Sequence, residues 1–157
     1  MSKTAEKLSD RGMRDFRHSL PMELLKAREA AMSRFRPMLR NHGLTEQQWR
    51  VIRALAEVDQ MDASELASRC LLLAPSLTRI LQHLEKEGII RRDSDASDQR
   101  RSFLLLTERG SNIFREVAPE SERLYAEIEQ QFGASRLEEL YRLLAEFYQS
   151  IDALPDD

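Results

Sequence analysis

The chain has little of what many fold classes require. It carries one cysteine, Cys70, in 157 residues, which excludes an internal disulfide and makes a cytoplasmic setting the default expectation. Glycine and proline number five each, too few to supply the turns of a sandwich or barrel, so helices are favoured. No apolar run approaches the length of a membrane span, and the opening "MSKTAEKLSDRGMRDF" has no apolar core long enough for a secretion signal. Internal repeats and low-complexity tracts are lacking. His18, His42 and His83 show no metal-ligand spacing, and there is neither a phosphate-cradling glycine loop nor a nucleophile elbow. Carboxylate pairs such as Glu138 and Glu139 fall on what reads as a solvated helix face. An enzyme is therefore not expected, and neither is a metal or cofactor.

The net charge of −3 would argue against a nucleic-acid partner if it were evenly spread. It is not. Residues 1–59 hold 12 Lys/Arg against 8 Asp/Glu, residues 60–106 hold 7 of each, and residues 107–157 hold 5 against 12. The acid sits in the last third, which leaves room for a basic surface elsewhere.

What is present is helical periodicity. From about Phe16 to Arg40, Leu20, Leu24, Leu25, Met32, Phe35, Met38 and Leu39 mark one face of a helix. Pro21 suits its first turn or a bend before it, and Asn41 to Gly43 form the stop. "LTEQQWRVIRALAEV" opens a second helix on a capping box of Thr45 and Gln48, with Trp49, Ile52, Leu55 and Ala56 facing inward. Asp62 and Glu65 repeat the device for a short third helix that buries Leu66, Ala67 and Cys70. Pro75 begins a fourth, with Leu77, Ile80, Leu81 and Leu84 apolar and Gly88 as its end. Ile89–Asp93 and Arg101–Thr107 read as two strands joined by a glycine-free loop at Ser94–Arg100. The rest is helical in two pieces broken near Phe132–Ser135. Ile113, Phe114, Leu124, Ile128 and Phe132 line the first. Leu137, Leu140, Tyr141, Leu144, Phe147, Tyr148 and Ile151 line the second.

Helix, helix, short helix, helix and hairpin, from Thr45 to Thr107, is the order of a winged helix-turn-helix. The expected fold is mainly α with a small β-hairpin wing. In such a domain the helix beginning at Pro75 enters the DNA major groove. Ser76 and Thr78 are small enough for close backbone approach, Arg79 and Gln82 have the reach and donors for base edges, and His83 suits either task. Arg91, Arg92, Arg100 and Arg101 stand at the two roots of the wing loop, where a minor groove or a phosphate run favours arginine. Asp98, two residues before Arg100, is placed to hold that guanidinium in one orientation. The plainer alternatives are a solvated hairpin edge and ordinary helix surface. A winged-helix module used only for protein contacts would keep the fold and lose the DNA.

"LTEQQWRVIRALAE", "PSLTRILQHLEKEGIIRR" and above all "SDQRRSFLLLTERG" resemble the MarR family of bacterial transcriptional regulators, over roughly residues 16 to 154. The most specific part is Asp98-x-Arg100-Arg101 followed by Leu106-Thr107-x-x-Gly110. "SLPMELLKAREAAMSRFRPMLRNHGLTEQQWRV" further resembles the branch controlling homoprotocatechuate (4-hydroxyphenylacetate) degradation operons. The resemblance implies a homodimeric repressor of double-stranded, pseudo-palindromic operator DNA, its recognition helices about 34 Å apart. It divides the chain into an N-terminal arm and dimerisation helix (1–43), a winged helix-turn-helix lobe (44–107) and C-terminal dimerisation helices (108–157), all in one intertwined domain. The apolar stripes of residues 16–39 and 124–151 exceed what a small helix-turn-helix core needs, which is compatible with such a dimer. The resemblance also implies release of DNA by a small phenolic or aromatic carboxylate. The candidate lining is Arg17, His18, Met22, Arg28, Met32, Arg36 and Trp49, an arginine pairing with the carboxylate while Met and Trp hold the ring. Core packing for Trp49, and solvent or interface charge for the arginines, are the competing readings.

Overall fold

The computed structural model describes Gly12 and residues 15–94, 97 and 102–155. A 3-10 turn at Phe16–His18 precedes α1 (Leu20–Asn41), followed by α2 (Glu46–Ala56), β1 (Met61–Asp62), α3 (Ala63–Cys70), α4 (Ala74–Lys86), β2 (Ile90–Ser94), β3 (Ser102–Leu106), α5 (Glu108–Phe132) and α6 (Ala134–Asp152). No helix among the described residues is long and apolar enough to cross a membrane.

Local chemistry accounts for most of the boundaries. The first helix starts at Leu20 and not at Phe16, because Pro21 then falls in the first turn, where its missing N–H has no helical acceptor to lose. Thr45 accepts from the Gln48 backbone at 3.2 Å while the Gln48 side chain accepts from the Thr45 backbone at 2.9 Å, closing both halves of a capping box. Asp62 caps α3 by accepting from the Glu65 backbone at 2.8 Å. Gly88, at φ 67°, ends α4 in the left-handed region. Gly133, at φ 102°, separates α5 from α6, within the expected break.

The sheet has three strands in the order β1-β3-β2, all antiparallel. Met61 stands opposite Leu104 and Asp62 opposite Phe103. The two-residue β1 goes unread in the sequence because it is too short to show alternation. In the wing, Ile90 pairs with Leu106 and Arg92 with Leu104.

One core joins the helix-turn-helix to the flanking helices. Leu39 of α1, Ile52 and Leu55 of α2, Leu66 of α3, Leu84 of α4, Leu104 of β3 and Val117 of α5 are all essentially inaccessible. Packed against several elements at once, α2 buries more than one stripe. Val51 and Ala54 are inside along with Trp49, Ile52 and Leu55, whereas Ala56 is half-buried. Cys70 is buried, and burial pushes its thiol up, away from the reactive thiolate, although Arg50 and Arg69 pull the other way. By contrast, α6 buries none of its residues, and Leu20, Leu24 and Leu25 of α1 are exposed.

Candidate nucleic-acid interface

The surface formed by α4 and the wing is built on an apolar face. Leu77, Leu81 and Leu84 are buried, so the opposite side of α4 must face outward, and it carries Ser76, Thr78, Arg79, Gln82 and His83, all exposed. The side chains of Arg79, Gln82 and His83 make no hydrogen bond or ion pair within the described residues, so their donors face open solvent. Thr78 differs. Its hydroxyl donates to the Ala74 carbonyl at 2.9 Å, so its methyl and the oxygen's acceptor lone pairs are what remain for an external contact.

The wing roots divide into two kinds of arginine. Arg91 projects to solvent with its guanidinium 3.2 Å from Asp93, an exposed pair worth little in itself. Arg92 is engaged within the protein: Nε donates to Glu85 at 3.1 Å and Nη1 to the Ser102 hydroxyl at 3.2 Å. It therefore ties β2 to both α4 and β3, setting the angle between wing and helix. Asp98, Arg100 and Arg101 lie outside the described residues.

A second feature lies behind this surface. A cleft of about 1500 Å³ opens between α1, α2, α5 and α6, lined by Arg28, Met32, Trp49, Arg53, Tyr125 and Leu140 among others. Trp49 is both core and wall: it is buried and its ring stacks on Phe114 with centroids 5.8 Å apart. Arg53 donates to the Tyr125 hydroxyl at 3.2 Å, and the Tyr125 ring packs 4.9 Å from Phe35. Of the candidate effector residues, Arg28, Met32 and Trp49 reach this cleft. Arg17 and His18 sit on the exposed 3-10 turn, Met22 is half-buried near the start of α1, and none of the three lines it. Nothing in the sequence singles out Arg53 and Tyr125, because 72 positions separate them and only the fold joins them.

Arg36 is also absent from the lining. It belongs to a network of four charges that ties α1 to the first turn of α2. Arg28 donates to Glu46 at 2.6 Å and to Glu29 at 2.9 Å, while Arg36 donates to Glu46 and lies 2.8 Å from Glu29. Burial alone would push the Glu46 carboxyl up, but hydrogen bonds from Arg36 and then Arg28 outweigh it and hold the group below its ordinary value. With the folded value depressed, the carboxylate's contribution is fully present above the ordinary 4.5 and is lost as pH falls through the folded value. Glu46→Gln is accordingly expected to lower the urea midpoint at neutral pH, with the gap to wild type closing well below pH 4.5. An undiminished gap in acid would assign the effect to packing.

Comparison with known proteins agrees with this architecture. A model described as the MarR family matches residues 42–101. The homoprotocatechuate degradative operon repressor of Escherichia coli is 46% identical over 129 residues, covering 82% of this chain and 87% of that protein. The HTH-type transcriptional regulator FarR of Neisseria gonorrhoeae is 43% identical, covering 87% of this chain and 93% of that protein. Among solved structures, NadR in complex with 4-hydroxyphenylacetate is 41% identical with a TM-score of 0.75, covering 86% of this chain and 96% of that one. These relatives are transcriptional regulators and not enzymes. Identity at this level extends across the wing lobe and into the flanking helices, and by it the chain belongs to the MarR family of winged helix-turn-helix transcriptional regulators.

Proposed function

We propose that this protein is a cytoplasmic, homodimeric repressor of an aromatic-acid catabolic operon, bound to a pseudo-palindromic operator and released by a small aromatic carboxylate. The carrying observation is the joint display on α4 of Ser76, Thr78, Arg79, Gln82 and His83, exposed above a buried Leu77–Leu81–Leu84 seam. A rigid helix with unpaired donors on one side is what major-groove reading requires. Arg91, and Arg100 and Arg101 of the wing loop, supply backbone contacts, with Asp98 orienting Arg100. In this division of labour residues 44–107 hold the DNA, while residues 1–43 and 108–157 pair the two copies.

The cleft supports the effector reading. Arg53 and Arg28 offer guanidinium groups to a carboxylate, and Trp49 and Met32 offer apolar walls to a ring. The relative that was solved with 4-hydroxyphenylacetate points to the same ligand class. Release follows only if the acid favours a conformation in which the two recognition helices no longer match successive grooves.

A titration of labelled upstream intergenic duplex tests both parts. Affinity is expected to fall steeply with salt, with a log–log slope of about −0.9 per phosphate neutralised. Addition of 4-hydroxyphenylacetate or homoprotocatechuate is expected to weaken binding. A chain that shows no affinity for any duplex is the protein-contact module instead. Binding that ignores both acids removes the effector assignment and leaves the DNA reading intact.

A further inference from the structure

The two most exposed large apolar residues among the described ones are Leu71 and Leu73, at 87% and 78%. They occupy the turn between α3 and α4, and local energetics favours leucine at neither position. Leu71 caps α3 at φ 51° and ψ 50°, a left-handed conformation that glycine adopts without the Cβ penalty. It is the sole non-glycine residue with positive φ among the described residues. Leu73 is the N-cap of α4 and makes no side-chain cap bond, where serine or aspartate would satisfy a free backbone N–H. Leu72 between them is half-buried and packs on the core, so the outer pair is not needed to seal it.

Most of the other exposed apolar side chains cluster on the start of α1 and on α6. The leucine pair stands apart from them and adjoins the α4 surface, Leu73 lying three residues before Ser76. The surroundings suit a polyanion. No acid occurs between Glu65 and Glu85, a span that contains Arg69 and Arg79. Arg69 is paired with Glu57, and the Arg79 side chain pairs with none of the described residues. The apolar group that the major groove presents at a base edge is the thymine 5-methyl.

We infer that Leu71 and Leu73 are specificity-determining residues that pack against thymine methyl groups in each half-site, extending base reading beyond the polar face of α4. This rests on the DNA-binding reading above and adds the base class that the turn selects. The stability sacrificed at two capping positions is then explained by a contact that exists only in the complex.

The test uses the full chain and the tightest duplex it selects from a random-sequence library. Each thymine is replaced in turn by uracil, which deletes only the 5-methyl. Wild type is expected to lose about fourfold in affinity, the worth of one buried methyl, at one or two thymines per half-site. The double variant Leu71→Gly, Leu73→Ser should bind the thymine duplex more weakly and be indifferent to uracil at those positions. It should also melt roughly 2–4 °C higher, since both caps are improved, and this separates lost contact from lost fold. Wild-type indifference to every uracil, or unchanged discrimination by the double variant, overturns the inference. So does a variant that binds both duplexes like wild type but no longer silences a reporter, which would place a protein against the leucines. If wild type selects no duplex at all, the DNA-binding reading falls first and takes this one with it.

Discussion

Gly110→Ala is expected to cost about 3 kcal/mol or more of folding stability, a loss large enough to leave much of the chain unfolded at moderate temperature. Gly110 is buried in the first turn of α5, and a Cβ there would lie 2.2 Å from the Ile89 carbonyl oxygen and 3.1 Å from Leu106 Cδ2. The carbonyl cannot step aside cheaply. It accepts from the Thr107 backbone at 3.0 Å and from the Thr107 hydroxyl at 3.0 Å, and the same hydroxyl lies 2.6 Å from the Gly88 carbonyl. Thr107 Oγ1 in turn accepts from the Gly110 backbone at 3.1 Å, so relief of the clash breaks either a helix cap or the clasp on β2. The end of α4, the start of β2, the end of β3 and the start of α5 all meet here. Gly43 provides the control. It has φ 69° and nothing within 4 Å of an added Cβ, so its alanine variant should lose only the left-handed preference, about 1 kcal/mol. Urea denaturation of the two variants measures the contrast, and a Gly110→Ala loss under about 1 kcal/mol would show that the junction yields.

This junction also shows what can be read in a sequence and what cannot. "LTERG" stands out as a family-like signature, and Thr107 has the small hydroxyl that an N-cap wants. The reason for glycine three residues later is not legible there, because it lies in the approach of Ile89, a residue distant in the chain. The same division runs through the molecule. The Thr45–Gln48 box, the Gly88 stop and the seam Leu77–Leu81–Leu84 are local, so spacing alone revealed them and with them the exposed side of α4. Spacing places Arg92 with the other arginines of the wing roots but does not say which of several acids its guanidinium will meet. Folded, it meets Glu85 and Ser102. Arg53 and Tyr125 carry no motif and become neighbours only when α2 packs on α5. In the sequence Arg17, His18 and Met22 fall in one periodic run with Met32, but Arg17 and His18 lie on the 3-10 turn before α1 and Met22 on its first turn. At about 1.5 Å per residue, Met22 stands about 15 Å along the helix from Met32, which lines the cleft.

In the homodimer proposed above, Phe147→Asp combined with Ile151→Asp is expected to convert dimer to monomer and to reduce affinity for a two-half-site operator by at least about 100-fold. The argument begins with α6 itself. It is 19 residues long, none of them buried, whereas most of a helix's stability in a protein comes from packing an amphipathic face and not from propensity. Its own charge pairs, Arg142 with Glu139 and Glu146, are exposed and contribute a few tenths of a kcal/mol each. Yet Leu140, Leu144, Phe147 and Ile151 recur at i, i+4, i+7 and i+11 with 37–51% of their surface exposed, and covering what remains of each is worth on the order of 1 kcal/mol, a share of the value of full burial. A second copy related by a two-fold axis can cover this stripe, together with Leu20, Leu24 and Leu25 of α1, because an isologous interface matches like surfaces. The two chosen positions lie outside the cleft, so a change in effector binding does not confuse the result. Once the copies part, each α4 must find its groove alone, and the gain from tethering two half-sites disappears. Affinity for a duplex carrying a single half-site should therefore be nearly unchanged. Sedimentation of wild type and variant, beside titrations of one- and two-half-site duplexes, separates the cases. A variant that remains dimeric, or a wild type that is already monomeric at micromolar concentration, would mean that the exposed stripe of α6 is not what holds two copies together.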